Sequence, residues 1–234
     1  MKGYYFITDA RLSRAGNRAD VLAALAAGVR VIQYREKEAG PAAILAEARE
    51  LRRLCRHCLF LINDHAEVAL AVGADGVHIG QEDMPLPEAR RLLGPGKIIG
   101  VTVNTVDQAL EAATLGADYL GVSPIFATRT KPDAGEPAGL ALLREIRRRV
   151  RLPLVAIGGI TLENAPAVIA AGADSLCAIS AVVTQPDVRA AISAFQRLFA
   201  AARPCAGAEG RARKPGEVAT AQGAGEEARG QEIT

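Results

Sequence analysis

Leu115-Gly116-Ala117-Asp118-Tyr119-Leu120-Gly121-Val122-Ser123 is the stretch that decides the fold of this 234-residue chain. Gly116 can adopt the positive φ with which many helices end, so it predicts the end of the helical segment before it. The run 119–123 is short and mostly apolar, which is typical of a strand buried on both faces of a parallel sheet. The stretch therefore predicts a helix, a turn and a buried strand in direct succession.

The same pattern recurs along the chain. A glycine precedes a further predicted strand in Ala27-Gly28-Val29, Val72-Gly73-Ala74-Asp75 and Ala171-Gly172-Ala173-Asp174. Strand-length apolar runs occupy 4–8, 30–34, 59–63, 76–80, 98–103, 119–123, 154–158 and 175–180, and segments with helical spacing, such as 42–54, 106–115 and 138–150, lie between them. Strict alternation of eight strands with helices closes most simply into an α/β fold of one domain, the (β/α)₈ TIM barrel.

Composition limits the possible partners. A net charge of +2 and 4% aromatic residues provide neither the field nor the stacking surfaces that nucleic-acid binding needs. The basic run at Arg144, Arg147, Arg148, Arg149 and Arg151 ends a predicted helix, where hydrated cations complement the helix dipole. No segment approaches the roughly 18 apolar residues of a membrane span. We expect a cytoplasmic protein that binds neither nucleic acid nor membrane, and the sequence leaves a homo-oligomer open.

The sequence predicts one folded domain followed by a tail. Residues 1–202 carry the barrel pattern, whereas residues 203–234 are rich in Gly, Ala, Glu, Arg and Pro and predict a disordered C-terminal tail. Cys55 and Cys58 form a C-x-x-C pair, which can bind zinc or serve redox chemistry. Because no second pair accompanies them, ordinary thiols are the favoured interpretation.

Polar side chains concentrate where the predicted strands end, and in a TIM barrel the active site lies at those ends. Gln33, Arg35 and Lys37 alternate after the second strand, so an amide and two cations should face the same space. A solvated strand end is the alternative. Thr102 and Asn104 follow the fifth strand and add a hydroxyl and an amide.

Two carboxylates follow neighbouring strands. Asp64 comes after the third strand and Asp83 after the fourth, and their oxygen atoms are suitable ligands for Mg²⁺. The alternative for Asp64 is a helix N-cap before residues 67–72. His78, within the fourth strand, is either a catalytic group or a hydrogen-bonded core histidine.

Two anion sites are predicted. Thr128, Arg129, Thr130 and Lys131 follow the sixth strand and supply hydroxyl donors and fixed positive charge, as a phosphate or pyrophosphate site does. Strands seven and eight end near Gly159 and at Ile179-Ser180, the two positions whose backbone N–H groups commonly hold a phosphate in barrels. We expect the missing side chain of Gly159 to leave these N–H groups open to the phosphate.

Taken together, these motifs resemble the thiamine phosphate synthase (thiamine-phosphate pyrophosphorylase) family. The resemblance covers about residues 4–195 and depends on five ordered motifs: 33–37, Asn63-Asp64, 78–83, 124–133, and 157–160 with Ile179-Ser180. It implies a Mg²⁺-assisted transferase of thiamine biosynthesis. Such an enzyme joins hydroxymethylpyrimidine diphosphate to thiazole phosphate, or to its carboxylated form, and releases thiamine phosphate and pyrophosphate.

The resemblance also implies roles for individual residues. Gln33 would hold the pyrimidine, Asp64 and Asp83 would bind Mg²⁺, and Arg35, Lys37, Asn63 and Lys131 would hold the diphosphate, with Arg35, Lys37 and Lys131 neutralising the leaving pyrophosphate. Thr128, Thr130, Gly159, Ile179 and Ser180 would hold the thiazole phosphate. Thr102 stands where the family usually has Ser, and Asn104 where it often has His, so the hydroxyl is kept.

Two other functions compete with this prediction. The thiazole tautomerase branch of the same fold binds thiazole phosphate alone and has no use for Gln33, Lys37 or the paired carboxylates. A non-catalytic phosphate-binding barrel is the second alternative, because a fold by itself does not fix function. Asp64, Asp83 and Lys131 together favour the synthase.

Overall fold

The computed structural model describes residues 1–130 and 135–201. The eight parallel strands form a closed barrel in sequence order, which confirms the predicted TIM barrel. The strands are β1 Gly3–Ile7, β2 Val31–Tyr34, β3 Leu59–Asn63, β4 Gly76–Ile79, β5 Ile98–Val103, β6 Tyr119–Val122, β7 Leu154–Ile157 and β8 Ser175–Cys177. Closure is made by β1 pairing with β8, where Gly3 aligns with Ser175.

Helices follow the strands and cover the barrel. They are α1 Asn17–Ala26, α2 Pro41–Leu54, α3 Ala66–Val72, α4 Leu86–Leu93, α5 Val106–Thr114, α6 Gly139–Arg149, α7 Ala165–Ala170, α8 Ile179–Val183 and α9 Val188–Ala201. The predicted strand over 175–180 was too long, since β8 ends at Cys177 and α8 begins at Ile179. The apolar run continues through both elements, so composition did not mark the boundary. The predicted tail, 203–234, lies outside the described residues.

Two layers of apolar side chains hold the barrel together. The larger layer lies between the strands and the helices, whereas the smaller one fills the barrel itself. Tyr5, Leu61, Tyr119 and Val155 belong to the inner layer and are buried. Their side chains form the floor of the barrel, so the interior is a packed core with its space for a ligand at one end.

The glycines of the repeated pattern have the predicted role. Each follows a helix or its last turn and has positive φ, between 63° and 107°, at Gly28, Gly73, Gly116 and Gly172. A residue with a side chain would be strained in this conformation. These glycines turn the chain from helix to strand, as the sequence predicts.

The aspartates of the repeat form a structural unit that the sequence analysis did not explain. Each accepts a backbone N–H from the preceding strand and pairs with an arginine of the helix that comes before that strand. The three units are Asp75 with Phe60 and Arg52, Asp118 with Ile99 and Arg90, and Asp174 with Leu154 and Arg147. Arg147 is therefore half-buried and paired with Asp174 at 3.0 Å, which corrects the expectation that its whole basic run is hydrated.

Cys55, Cys58 and Cys177 are free thiols. Within 1–130 and 135–201, no helix combines the length and the apolar character of a membrane span.

Candidate active site

A cavity of about 310 Å³ lies at the carboxyl ends of the strands. Its lining brings together most of the side chains that the sequence analysis selected, from β2 round to β8. They are Gln33, Arg35, Lys37, Asn63, Asp64, Asp83, Thr102, Thr128, Thr130, Gly159, Ile179 and Ser180. Arg129 is exposed and does not line this cavity, and Lys131 lies outside the described residues.

Arg35 is held by a residue that the sequence analysis missed. Its guanidinium Nη1 donates to Oδ2 of Asp9 at 2.8 Å, and Asp9 is only 1% exposed. The backbone of Arg35 is fixed as well, because its N–H donates to Oγ1 of Thr8 at 2.8 Å. The signal was the polar pair Thr8-Asp9 at the carboxyl end of β1. Arg35 is thus a cation in one fixed position at the cavity wall.

Asp64 is not the helix N-cap that the sequence left open. The N-cap position of α3 is His65, whose side chain makes no capping bond. Asp64 has φ 63°, a conformation that aspartate tolerates better than most residues, and its N–H donates to the carbonyl of His78 at 2.7 Å. Its carboxylate lies 2.5 Å from Nζ of Lys37. The backbone turn therefore directs this carboxylate into the cavity lining.

Asp83 and Asp64 line the same cavity, at the ends of neighbouring strands. Its Oδ2 accepts the N–H of Gly80 at 2.6 Å. Burial first, and then the neighbouring Asp64, raise the pKa of Asp83, while Gly80 and Lys37 oppose the shift. Among the described residues, no group of three or more His, Cys, Asp or Glu side chains is placed to hold a metal. The pair alone fits Mg²⁺, which commonly takes one or two carboxylates and completes its ligands with water and substrate phosphate.

The opposite wall is made by the loops after β6 and β7. Thr128 and Thr130 line the cavity, and the carbonyl of Thr130 accepts from Nη2 of Arg11 at 3.2 Å. Gly159 has φ 62°, and a Cβ there would lie 2.5 Å from the carbonyl oxygen of Ala127. The missing side chain therefore makes room for the β6 loop, whereas the sequence analysis expected it to make room for a phosphate.

A hydrogen-bonded chain crosses the floor of the cavity. Nε2 of Gln33 donates to the hydroxyl of Tyr5 at 2.9 Å, and this hydroxyl lies 2.8 Å from that of Tyr119. Tyr119 contacts Nδ1 of His78 at 2.8 Å, and Nε2 of His78 contacts Oγ1 of Thr102 at 2.8 Å. Both ring nitrogens of the buried His78 are thus bonded, which supports the core interpretation of this residue. Tyr5 and Tyr119 gave no signal in the sequence beyond apolar strand positions.

Comparison with known proteins adds a second line of evidence. Residues 4–182 match the family model described as thiamine monophosphate synthase. The thiamine-phosphate synthase of Methanosarcina barkeri is 52% identical over 187 residues, which are 80% of this chain and 85% of that protein. The thiamine-phosphate synthase of Chloroflexus aurantiacus is 52% identical over 197 residues, 83% of this chain and 91% of that protein.

A solved structure agrees with these relatives. The thiamine phosphate pyrophosphorylase from Pyrococcus furiosus superimposes with a TM-score of 0.79 at 41% identity, covering 85% of this chain and 96% of that one.

Proposed function

The chain belongs to the thiamine monophosphate synthase family, and from this premise we propose that it joins hydroxymethylpyrimidine diphosphate to thiazole phosphate or its carboxylated form. The products are thiamine phosphate and pyrophosphate, and with the carboxylated thiazole its carboxylate leaves as carbon dioxide. One observation carries the proposal: Asp64 and Asp83 adjoin each other beside Lys37, on the same side of the cavity as Gln33 and the fixed cation Arg35.

The proposed metal site uses the two carboxylates. Asp64 and Asp83 would hold Mg²⁺, because the two carboxyl groups are neighbours in the cavity lining and Lys37 forms a salt bridge to Asp64 alone. When bound, Mg²⁺ would neutralise negative charge on the diphosphate oxygens.

The residues of this wall assist bond cleavage. The carbon–oxygen bond at the pyrimidine methylene breaks, its electron pair leaves with the pyrophosphate, and the methylene cation is stabilised by the ring. Arg35 and Lys37 stabilise the charge that develops on the departing oxygen, since cations already in position need little reorganisation. Lys131 has the same proposed role.

The other wall holds the second substrate. Thr128, Thr130 and Ser180, with backbone N–H groups near Gly159 and Ile179, bind the thiazole phosphate in this proposal. In an eight-stranded barrel β7 lies opposite β3, so the two anions occupy opposite sides. The thiazole nitrogen attacks the methylene carbon and forms the new carbon–nitrogen bond. This step needs no general base, which suits a site whose lining histidine, His78, is bonded through both ring nitrogens.

The direct experiment incubates the purified protein with both phosphorylated substrates and Mg²⁺. We expect thiamine phosphate and pyrophosphate in equal amounts, and a loss of turnover by about 100-fold or more in Asp64→Asn, as removal of electrostatic stabilisation of a transition state commonly produces. Glu88→Gln is the matched control, because it also exchanges a carboxylate for an amide but lies on an exposed face of α4. Full activity in the presence of EDTA would exclude the proposed metal site.

The same assay distinguishes the tautomerase alternative. A tautomerase would isomerise the thiazole phosphate in the absence of pyrimidine diphosphate. For this protein we expect the thiazole phosphate to remain unchanged when it is the only substrate present. Arg35→Met should lower the cleavage rate by about 10²- to 10³-fold, more than it weakens binding of the diphosphate. A rise in KM alone would assign Arg35 to uniform binding.

A further inference from the structure

The loop after β7 is tied to the turn before α7 by one side chain, that of Asn164. Its Nδ2 donates to the carbonyl oxygen of Gly159 at 3.0 Å, and its Oδ1 accepts the N–H of Thr161 at 2.9 Å. A carbonyl oxygen only accepts and a backbone N–H only donates, so an amide turned the other way would lose both bonds. The direction of the Asn164 amide is therefore fixed by its partners.

The start of the helix needs only one of these two bonds. Thr161 and Asn164 form a reciprocal pair, because the N–H of Asn164 also donates to Oγ1 of Thr161, at 3.4 Å. This is the arrangement of a capping box, and it requires only an acceptor on the second side chain. The donor Nδ2 is not needed for the box, and it bonds to Gly159 instead.

The bond to Gly159 sets the direction of the peptide group that joins Gly159 to Ile160. This peptide group is trans, so its C=O and its N–H point in opposite directions within one plane. Gly159 and Ile160 line the cavity, whereas Asn164 lies outside its lining. Because the carbonyl is held toward Asn164, the N–H of Ile160 is directed to the cavity side.

The loop after β6 holds the same segment from another side. The N–H of Phe126 donates to the carbonyl of Gly158 at 3.1 Å, and a Cβ on Gly159 would lie 2.8 Å from Cβ of Phe126. Backbone packed this closely has little freedom to move. The peptide group is thus fixed between Phe126 and Asn164.

The N–H of Ile160 is the group that this arrangement presents. Ile160 is 3% exposed, and among the residues that the structure describes its N–H has no acceptor. Most buried N–H groups in proteins are paired, so an unpaired one beside a cavity indicates an acceptor that a ligand brings. The hydroxyl groups of Thr128 and Ser180 belong to the same lining. N–H and O–H donors together suit a phosphate, whose oxygens accept.

We propose that Asn164 is a positioning residue for the phosphate of the thiazole substrate, because it holds the Ile160 N–H toward the phosphate oxygens. The assignment of this phosphate to a thiazole rests on the proposed function. A Gly159 carbonyl turned into the cavity would repel the anion, whereas the N–H binds it. Donation from Asn164 to the carbonyl also polarises the same peptide group and strengthens its N–H as a donor.

The first test compares two variants that add one negative charge to the same turn. Asn164→Asp keeps the acceptor for Thr161 and replaces the donor by an oxygen that repels the Gly159 carbonyl. We expect its KM for thiazole phosphate to rise at least about tenfold, or about 1.4 kcal/mol, while kcat and the KM for the diphosphate change by less than about twofold. Leu162→Asp is the matched control, because Leu162 is 46% exposed and the Asn164 bonds remain.

Both variants should keep a Tm near that of the wild type, since a carboxylate at the start of a helix complements its dipole. Three kinetic outcomes would overturn the proposal. They are an unchanged KM for thiazole phosphate in Asn164→Asp, an equal rise of this KM in Leu162→Asp, and an equal rise of the KM for both substrates in Asn164→Asp.

The second test is independent of turnover and uses inorganic phosphate as the probe. With ¹⁵N-isoleucine labelling, the Ile160 amide signal is assigned by its loss in Ile160→Val. We expect added phosphate to move this amide proton downfield in the wild type, because it gains a charged acceptor, and to leave it in place in Asn164→Asp. A wild-type signal that does not respond would overturn the proposal even if thiamine phosphate is formed. A response without formation of thiamine phosphate would support the anion site and reject the proposed function.

Discussion

Replacing Asp9 with asparagine should release Arg35 from its fixed position. Asp9 is 1% exposed and the Arg35 side chain 11% exposed, and the two are joined at 2.8 Å. In Asp9→Asn the side-chain oxygen can still accept the N–H of Leu12, at 3.2 Å in the wild type. The charge of Arg35, however, loses its buried counter-charge.

The size of the effect follows from this burial. Removing one partner of a buried ion pair costs about 3 to 5 kcal/mol, because the remaining charge is left uncompensated. We expect the lower end, about 3 kcal/mol, since asparagine keeps a polar partner for Arg35. A domain of this size loses about 2 to 4 °C in Tm for each kcal/mol, so the melting temperature should fall by about 6 to 12 °C. Turnover should fall about tenfold as Arg35 leaves its position at the leaving group.

The assay is thermal unfolding together with steady-state kinetics at saturating substrate. Glu50→Gln is the control, because Glu50 forms an equally short pair with Arg18, at 2.7 Å, but both side chains are at least half exposed. Exposed pairs contribute at most about 1 kcal/mol. Equal losses of Tm in the two variants would refute the argument from burial. A loss of Tm with unchanged turnover would refute the positioning of Arg35 by Asp9.

Three further predictions concern the cavity and the tail. Because the fold raises the pKa of Asp83, ionisation of this carboxyl group destabilises the protein, and the destabilisation develops as pH rises through that pKa. Asp83→Asn should therefore be inactive but, without metal, should melt at or above the Tm of the wild type at pH 7, and the difference in Tm should vanish in acid. A lower Tm for Asp83→Asn at pH 7 would contradict this sign. Gly159→Ala should lower the free energy of unfolding by at least about 1 to 2 kcal/mol and raise the KM for thiazole phosphate, because the new Cβ meets the Ala127 carbonyl. Gly116→Ala is the control, since Gly116 also has a positive φ but has open space around its Cβ position. Equal effects of the two variants on KM would refute the role of the contact. A chain ending at Ala202 should keep the Tm and turnover of the full chain, and a clear loss of either would show that the tail contributes.

Several residues of the site could be predicted from position alone. Gln33, Arg35 and Lys37 follow one strand, and alternation with the barrel rule places them at the same end as Asp64 and Asp83. This reasoning needs only local sequence and the direction of the strands. It cannot say which cation meets which anion, and the pairing of Lys37 with Asp64 and of Arg35 with Asp9 came from the structure.

The sequence by itself determined the barrel, the order of its strands and the set of polar residues at their carboxyl ends, because periodicity, glycine turns and strand direction are local properties. Only the tertiary structure decided how Tyr5, Tyr119 and His78 meet beneath the cavity, since these residues are 41 to 114 positions apart and look like ordinary buried strand residues. It also decided that Gly159 accommodates the neighbouring loop. Contacts between distant strands depend on register and side-chain packing across the closed barrel, and no local pattern in the chain encodes them.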